Sequence, residues 1–268
     1  MTEQQQIDYE GQGFLVVEDA LGADELETIS AAFDAASSVD ALEDLPNRDD
    51  CFLHLAEHPI LFPLVHGIMS DDLALRSLGG LSLTPGNAAN GWHRPVASML
   101  GVHHPASNMY VQLFISLDDC PADSGCIAVV PASHRFKADL LFPDINSIEE
   151  MPHHLPLRLR AGSAVILHGN LWRARLHHRA AATLRLLEYA YVHCWMRQAL
   201  PDLSPQTRDA IAATGNLASL FGIQSDRRYW DGELTGYPSS IGLPKRAYSP
   251  LSGVGYGTQP NTRMGNRS

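Results

Sequence analysis

The sequence predicts a mainly β protein with flanking helices, and the order of its apolar segments is the main reason. From about Leu73 onward, short apolar runs are separated by Gly, Pro, Asn and Asp, a pattern typical of an antiparallel sandwich or barrel. Helical spacing is concentrated before that residue, with one further helical segment near the C-terminus. No repeat and no linker composition divides the chain, so we predict a single domain over residues 1–268.

The predicted elements follow from local patterns in chain order. Residues 13–17 are expected to form a short strand, and a helix to about Ala36 follows because Leu26, Ile29 and Phe33 recur at helical spacing. A second helical stretch, about 51–69, is interrupted by two prolines. The strand candidates are residues 78–84, 108–117, 126–130, 164–168 and 183–193. A last helix is expected at about 204–221, and the Gly- and Pro-rich residues 232–268 are expected to be extended coil.

These elements divide the predicted domain into three parts. Residues 1–72 form a helical N-terminal part, residues 73–195 the β core, and residues 196–268 a C-terminal helix with an extended tail. A chain of 268 residues can bury a sizeable core. The N-terminal part shows no clear apolar stripe for self-association, so a monomer, a homodimer and a heteromer with an active homologue stay open.

Charge and composition exclude several classes of partner. The formal net charge of −11, without a basic cluster, argues against nucleic acid and against an anionic membrane surface. No apolar run is long enough to span a membrane, and the polar N-terminus does not resemble a signal peptide, so we expect a cytoplasmic protein. The 4 cysteines lack zinc-site spacing and are expected to be reduced.

Three blocks of sequence carry a resemblance to a known family. They are Trp92–Pro95; Val111–Asp119 with Ser124–Ile127 and Val130–Arg135; and Gly162–Arg173 with Leu184 and Arg185. Together they resemble the phytanoyl-CoA dioxygenase family, a branch of the Fe(II)/2-oxoglutarate oxygenases, over roughly residues 10–195. The resemblance implies a double-stranded β-helix (jelly roll) as the core of the fold.

The resemblance also implies an iron site, and this sequence departs from it at two positions. The family's His-x-Asp motif supplies two ligands, whereas here His93 is followed by Pro95 in place of the Asp. The later His that supplies the third ligand is replaced by Arg173. Proline offers no ligand atom, and a guanidinium only donates hydrogen bonds. We therefore expect neither a metal nor a cofactor, with Fe(II) and 2-oxoglutarate expected only if other residues substitute as ligands.

Arginine residues predict a site for an anion in place of the metal. Arg185 matches the family arginine that clamps the carboxylate of 2-oxoglutarate, and a guanidinium fork suits such a group. Leu187, Tyr189 and Tyr191 follow Arg185 at every second position, so the four side chains are predicted to share one face of the strand. With Arg173 nearby, the pocket would hold two cationic groups, so we expect an anionic small-molecule substrate.

Further candidates line the same predicted pocket. Tyr110 and Gln112 share one face of a strand, so Tyr110 is a candidate catalytic residue beside His93 and Arg173, and Gln112 a candidate binding residue beside Arg185. His177 or His178 becomes the distal iron ligand if the alignment is shifted. A halogenase, in which a halide replaces the carboxylate ligand, is disfavoured because such enzymes usually carry Gly or Ala at the position of Pro95.

Three functions follow from these residues. The favoured one is a metal-independent enzyme of natural-product or secondary metabolism that performs acid–base isomerisation, cyclisation or elimination, with His93 moving a proton and the arginines stabilising an anion. The second is an Fe(II)/2-oxoglutarate-dependent hydroxylase that uses substitute ligands. The third is a non-catalytic pseudo-oxygenase subunit or binding protein. Fold alone does not separate them, because function depends on the site.

Overall fold

Two antiparallel sheets form the body of the protein in the computed structural model. The structure describes residues 1–37, 42–69, 73–95, 108–121, 123–137, 140–194, 196 and 198–223. The predicted tail at 232–268 and the His103–His104 pair lie outside these residues. Within them, the strands are β1 Phe14–Val17, β2 Leu73–Leu83, β3 Asn90–His93, β4 Tyr110–Ser116, β5 Ile127–Val129, β6 Leu155–Pro156, β7 Ala164–His168, β8 Arg173–Arg175 and β9 Leu184–His193.

The strands pair as a jelly roll does. One sheet has the order β1-β7-β4-β9-β2 and the other the order β3-β8-β5-β6, with antiparallel pairing in both. Apolar side chains from both sheets, such as Leu186 on β9 and Val129 on β5, share one buried cluster. The sheets therefore pack face to face, which confirms the predicted mainly β fold with a double-stranded β-helix core.

The helices cover the outer face of the larger sheet. They are α1 Glu3–Gln12, α2 Ala23–Ser37, α3 Asp50–Leu55, α4 Phe62–Met69, α5 Pro205–Ala213 and α6 Gly215–Leu220. Side chains of α2, α3 and α4 share a buried cluster with Tyr189 and Tyr191 of β9, whose hydroxyls donate to the carbonyl oxygens of Phe52 and Ala56. The helical part of the protein thus covers this face of β9. No helix in the described ranges is long and apolar enough to cross a membrane.

Several element bounds differ from the prediction for local reasons. The helix α1 was not predicted, because its sequence is polar; Thr2 and Gln5 begin it with reciprocal capping hydrogen bonds. The stretch 51–69 forms two helices that end and begin on either side of Pro59. Strand β2 begins at Leu73 rather than at residue 78, and the last predicted helix is divided at Thr214. Strand β1 pairs with β7, so the N-terminal part contributes to the core sheet.

The junction between α1 and β1 depends on Gly13. Its backbone has φ 85°, and its N–H donates to the carbonyl of Tyr9, which ends the helix in the left-handed conformation that glycine adopts at no steric cost. A Cβ at this position would lie 2.5 Å from Nδ1 of His134 and 2.8 Å from Cδ1 of Leu171. The chain therefore turns here against packed side chains, with no space for a methyl group.

Candidate active site

Strand pairing places His93 directly opposite Arg173. β3 and β8 are antiparallel, and His93 and Arg173 are Cα partners in their register. Nδ1 of His93 lies 2.9 Å from the carbonyl oxygen of Gly91, which only accepts, so Nδ1 carries the proton. Nε2 then accepts a long hydrogen bond, 3.5 Å, from Nε of Arg173. The pair is a neutral imidazole facing a guanidinium.

Arg173 is a buried cation with few compensating groups. Its side chain is 5% exposed, and its Nη1 has no hydrogen-bond partner in the part of the chain that the structure describes. The guanidinium carbon lies 5.8 Å from the centre of the Phe114 ring, a distance at which the ring face attracts a cation. Burial lowers the pKa of Arg173, while Tyr110 and Glu188 act in the opposite direction. Arginine nevertheless keeps its charge in proteins.

The inner faces of β4 and β9 complete the cluster. Tyr110, Gln112 and Phe114 alternate along β4, and Glu188 is the cross-strand partner of Phe114. The amide Nε2 of Gln112 donates to Oε1 of Glu188, and Oε1 of Gln112 is buried with no partner among the described residues. A carboxylate, an amide, a phenol and a guanidinium therefore share the space between the sheets.

Burial shapes the protonation of this cluster. It lowers the pKa of His93, against the effect of the Gly91 carbonyl, and nearby Arg173 lowers it further. Burial raises the pKa of Tyr110 to about 12, although Arg173 opposes the shift. It also raises the pKa of the Glu188 carboxyl, and Arg173 opposes that shift too. At neutral pH the site thus offers an unprotonated imidazole nitrogen and a phenol that keeps its proton.

Arg185 does not join this cluster, contrary to the prediction that it shares a pocket with Arg173. It lies on the opposite face of β9 and is held by carboxylates of Asp118 and Asp34. The bond to Asp118 is bidentate, at 2.9 and 2.6 Å, and the bond to Asp34 is 2.8 Å long. Side chains on a strand alternate between faces, so Arg185 faces the helices together with Leu187, Tyr189 and Tyr191. Its predicted role in anion binding gains no support from this position.

The same substitution at the two arginines should change the stability of the protein by different amounts. Replacing Arg185 by Met removes three charge-assisted bonds at a partly exposed site, so we expect a loss of about 1–2 kcal/mol in the free energy of unfolding. Replacing Arg173 by Met removes a buried cation that forms no ion pair with any residue in the described ranges, and it should change stability by less than about 1 kcal/mol. Urea unfolding of both variants measures the difference. A larger loss in Arg173→Met than in Arg185→Met would mean that Arg173 is needed for the fold.

His177 and His178, the two alternative candidates for the distal iron ligand, contact other groups. Nδ1 of His177 lies 2.8 Å from a carboxylate oxygen of Glu149. The ring nitrogens of His178 face the carbonyl oxygens of Ser124 and Ala182. The register of β3 and β8 thus brings Arg173, and neither of these histidines, opposite His93.

The described residues do not form a recognisable metal centre. Within the ranges given above, no three His, Cys, Asp or Glu side chains come close enough to hold a metal ion. Pro95 is buried two residues after His93. A metal bound at His93 would therefore need further ligands that are not His, Cys, Asp or Glu side chains of the described residues.

Glu188 is a site residue that the sequence analysis missed. The signal lies in the alternation along β9. The residues that share its face, Leu184, Leu186, Ala190 and Val192, are apolar and buried. A single carboxylate on such a face is costly unless it is hydrogen-bonded or has a role in the site, and this contrast marks Glu188.

A groove of about 850 Å³ lies outside the jelly roll, on the outer side of β2. The residues that line it include Glu43, Asp44, Asp202 and Gly80. Asp44 is already paired with Arg48 and Asn47. The groove shares no residue with the cluster around His93, and we assign the chemistry to that cluster because its polar groups are buried and converge.

Comparison with known proteins relates this chain to one family and its fold to several solved structures. The family model described as phytanoyl-CoA dioxygenase (PhyH) matches residues 9–182. HygX from Streptomyces hygroscopicus, solved with nickel and 2-oxoglutarate bound, superposes with a TM-score of 0.64 at 19% identity, covering 78% of this chain and 94% of HygX. The non-heme α-ketoglutarate-dependent epimerase SnoN from nogalamycin biosynthesis superposes with a TM-score of 0.59 at 20% identity, covering 71% of this chain and 80% of SnoN.

Proposed function

We propose that this chain, which belongs to the phytanoyl-CoA dioxygenase family, is an enzyme that performs acid–base chemistry on a small organic anion without an iron centre. The observation that carries the proposal is the position of Arg173, buried and opposite His93 in the strand register. The resemblance to the family implies that this residue occupies the position of the distal histidine ligand. On this proposal, a fixed positive charge takes the place of the divalent metal.

The residues around His93 do not fit Fe(II). HygX has been solved with iron and with nickel and 2-oxoglutarate bound. A comparable site here would need a ligand atom from Pro95 and a lone pair from Arg173, and neither side chain has one. The Nε2 atom of His93, which would face a metal, accepts from the guanidinium instead. A cation in that position repels a second cation and attracts an anion.

An organic acid fits the same residues. Its carboxylate, or the enolate formed from it, would bind to Arg173, whose Nη1 donor has no partner in the described structure. Nε2 of His93 would accept a proton from the adjacent carbon, and the electron pair would move onto the oxygen held by Arg173. The protonated phenol of Tyr110 would return a proton to another carbon, which yields an isomer, or to a leaving group, which yields an elimination product.

Iron titration tests this proposal directly. We expect wild-type protein to bind Fe(II), with or without 2-oxoglutarate, no more tightly than His93→Ala, in equilibrium dialysis under anaerobic conditions. Metal-free protein should still exchange a carbon-bound proton of its substrate with deuterium from solvent. Stoichiometric iron that is lost on replacing His93 would overturn the proposal in favour of an oxygenase with substitute ligands.

A further inference from the structure

Two buried side chains of the candidate site each have one hydrogen-bonding atom that finds no partner in the described ranges. Arg173 is 5% exposed, and its Nη1 is an unused donor; Gln112 is 3% exposed, and its Oε1 is an unused acceptor. Buried polar atoms in folded proteins are nearly always satisfied, by the protein, by water or by a ligand. The two unused atoms have opposite hydrogen-bonding character, so they suit one ligand that presents both an acceptor and a donor.

Other contacts relate both side chains to the same two neighbours, Phe114 and Glu188. The guanidinium of Arg173 lies over Phe114, which follows Gln112 on the same face of β4. Glu188, which accepts from the amide of Gln112, also interacts electrostatically with Arg173. Because Nε2 of Gln112 is committed to Glu188, its Oε1 is the atom left to receive a donor.

We propose that the ligand is a small carboxylic acid with a hydroxyl or amino group beside the carboxylate. The carboxylate binds to Arg173, and the hydroxyl or amino group donates to Oε1 of Gln112. This inference rests on the proposed function for the anion and adds its chemical class. An acid without the donor leaves Oε1 buried and unsatisfied, so the site discriminates against it.

Three small acids of nearly equal size test the requirement for a donor. Lactate and alanine carry it, and propionate does not. We expect wild-type protein to bind lactate or alanine at least about 10-fold more tightly than propionate, in ligand-detected NMR titrations. The protein is first treated with EDTA, which is then removed by gel filtration, because hydroxy acids chelate metals and iron would create a preference of its own.

Two variants assign the preference to its residues. Gln112→Leu keeps a similar volume without the acceptor, so it should weaken the donor-bearing acids and leave propionate unchanged. Arg173→Met should abolish binding of all three acids, and Arg185→Met, outside the site, should change none. Circular dichroism of each variant confirms that it is folded.

Several outcomes would overturn the inference. They are equal affinity for propionate and for the donor-bearing acids in wild-type protein, no measurable binding of any of them, or an equal loss for all three in Gln112→Leu. The wild-type comparison needs no variant and stands even if Gln112→Leu does not fold. Because EDTA removes metal, these results are independent of the iron titration that tests the proposed function.

Discussion

Restoring two family ligands should convert this protein into an iron-binding one. We expect the double variant Pro95→Asp/Arg173→His to bind Fe(II) more tightly than wild-type protein by more than about 100-fold, because changes in the outer shell of a metal site alone alter affinity by 10- to 100-fold. His93 already stands opposite position 173 in the strand register. The new histidine would thus face the old one without a change of backbone.

Equilibrium dialysis with Fe(II), or with Ni²⁺ as a stable substitute, measures this gain. The variant Pro95→Ala/Arg173→His is the matched control, since it restores one ligand and removes the same guanidinium. It should bind metal with intermediate affinity. If the double variant binds no better than wild-type protein, positions 95 and 173 are not the former ligand positions, and the argument for an anion site in place of a metal site fails.

Adding a single methyl group at Gly13 should cost about 2–5 kcal/mol of unfolding free energy. An L-residue at φ 85° is strained by about 1–2 kcal/mol. The contacts of the new Cβ with Nδ1 of His134 and Cδ1 of Leu171, at 2.5 and 2.8 Å, add overpacking of about 1–3 kcal/mol. Both side chains are buried and have little space to move.

The matched control lies two residues earlier in the same helix. A Cβ at Gly11 meets no atom within 4 Å, so Gly11→Ala should stabilise α1 by about 0.5–1 kcal/mol through its helix propensity. In urea unfolding, the two variants should therefore shift the free energy of unfolding in opposite directions. Equal stability of Gly11→Ala and Gly13→Ala would contradict the packed junction between α1 and β1.

The parts of the fold that the sequence predicted well are those with long apolar periodicity. β7 was predicted at its observed bounds, and β4 and β9 within one or two residues, because each is a run of apolar residues bounded by turn signals. β3 and β8 were not predicted as strands. Each has only three or four residues, and pairing between them compensates for weak local preference.

The candidate site was predicted in part, and the error concerns the faces of one strand. His93, Arg173, Tyr110 and Gln112 lie together, whereas Arg185 lies on the other side of β9. That strand is buried on both faces, by the opposite sheet and by the helices. Periodicity then separates the two sets of residues but does not identify which set faces the pocket. Only the tertiary position of the helices decides between Arg185 and Glu188.

The Nη1 donor of Arg173, which has no partner among the described residues, also links folding to the composition of the solution. A ligand that binds only the folded chain raises its stability by RT ln(1 + [L]/Kd), or about 2.7 kcal/mol at 100 times Kd. Because the guanidinium is buried in the folded chain and hydrated in the unfolded one, an anion that satisfies it acts as such a ligand. Under the proposed function, the melting temperature of the protein reports the binding of such an anion, and a library of acids can be ranked by it before any reaction is known.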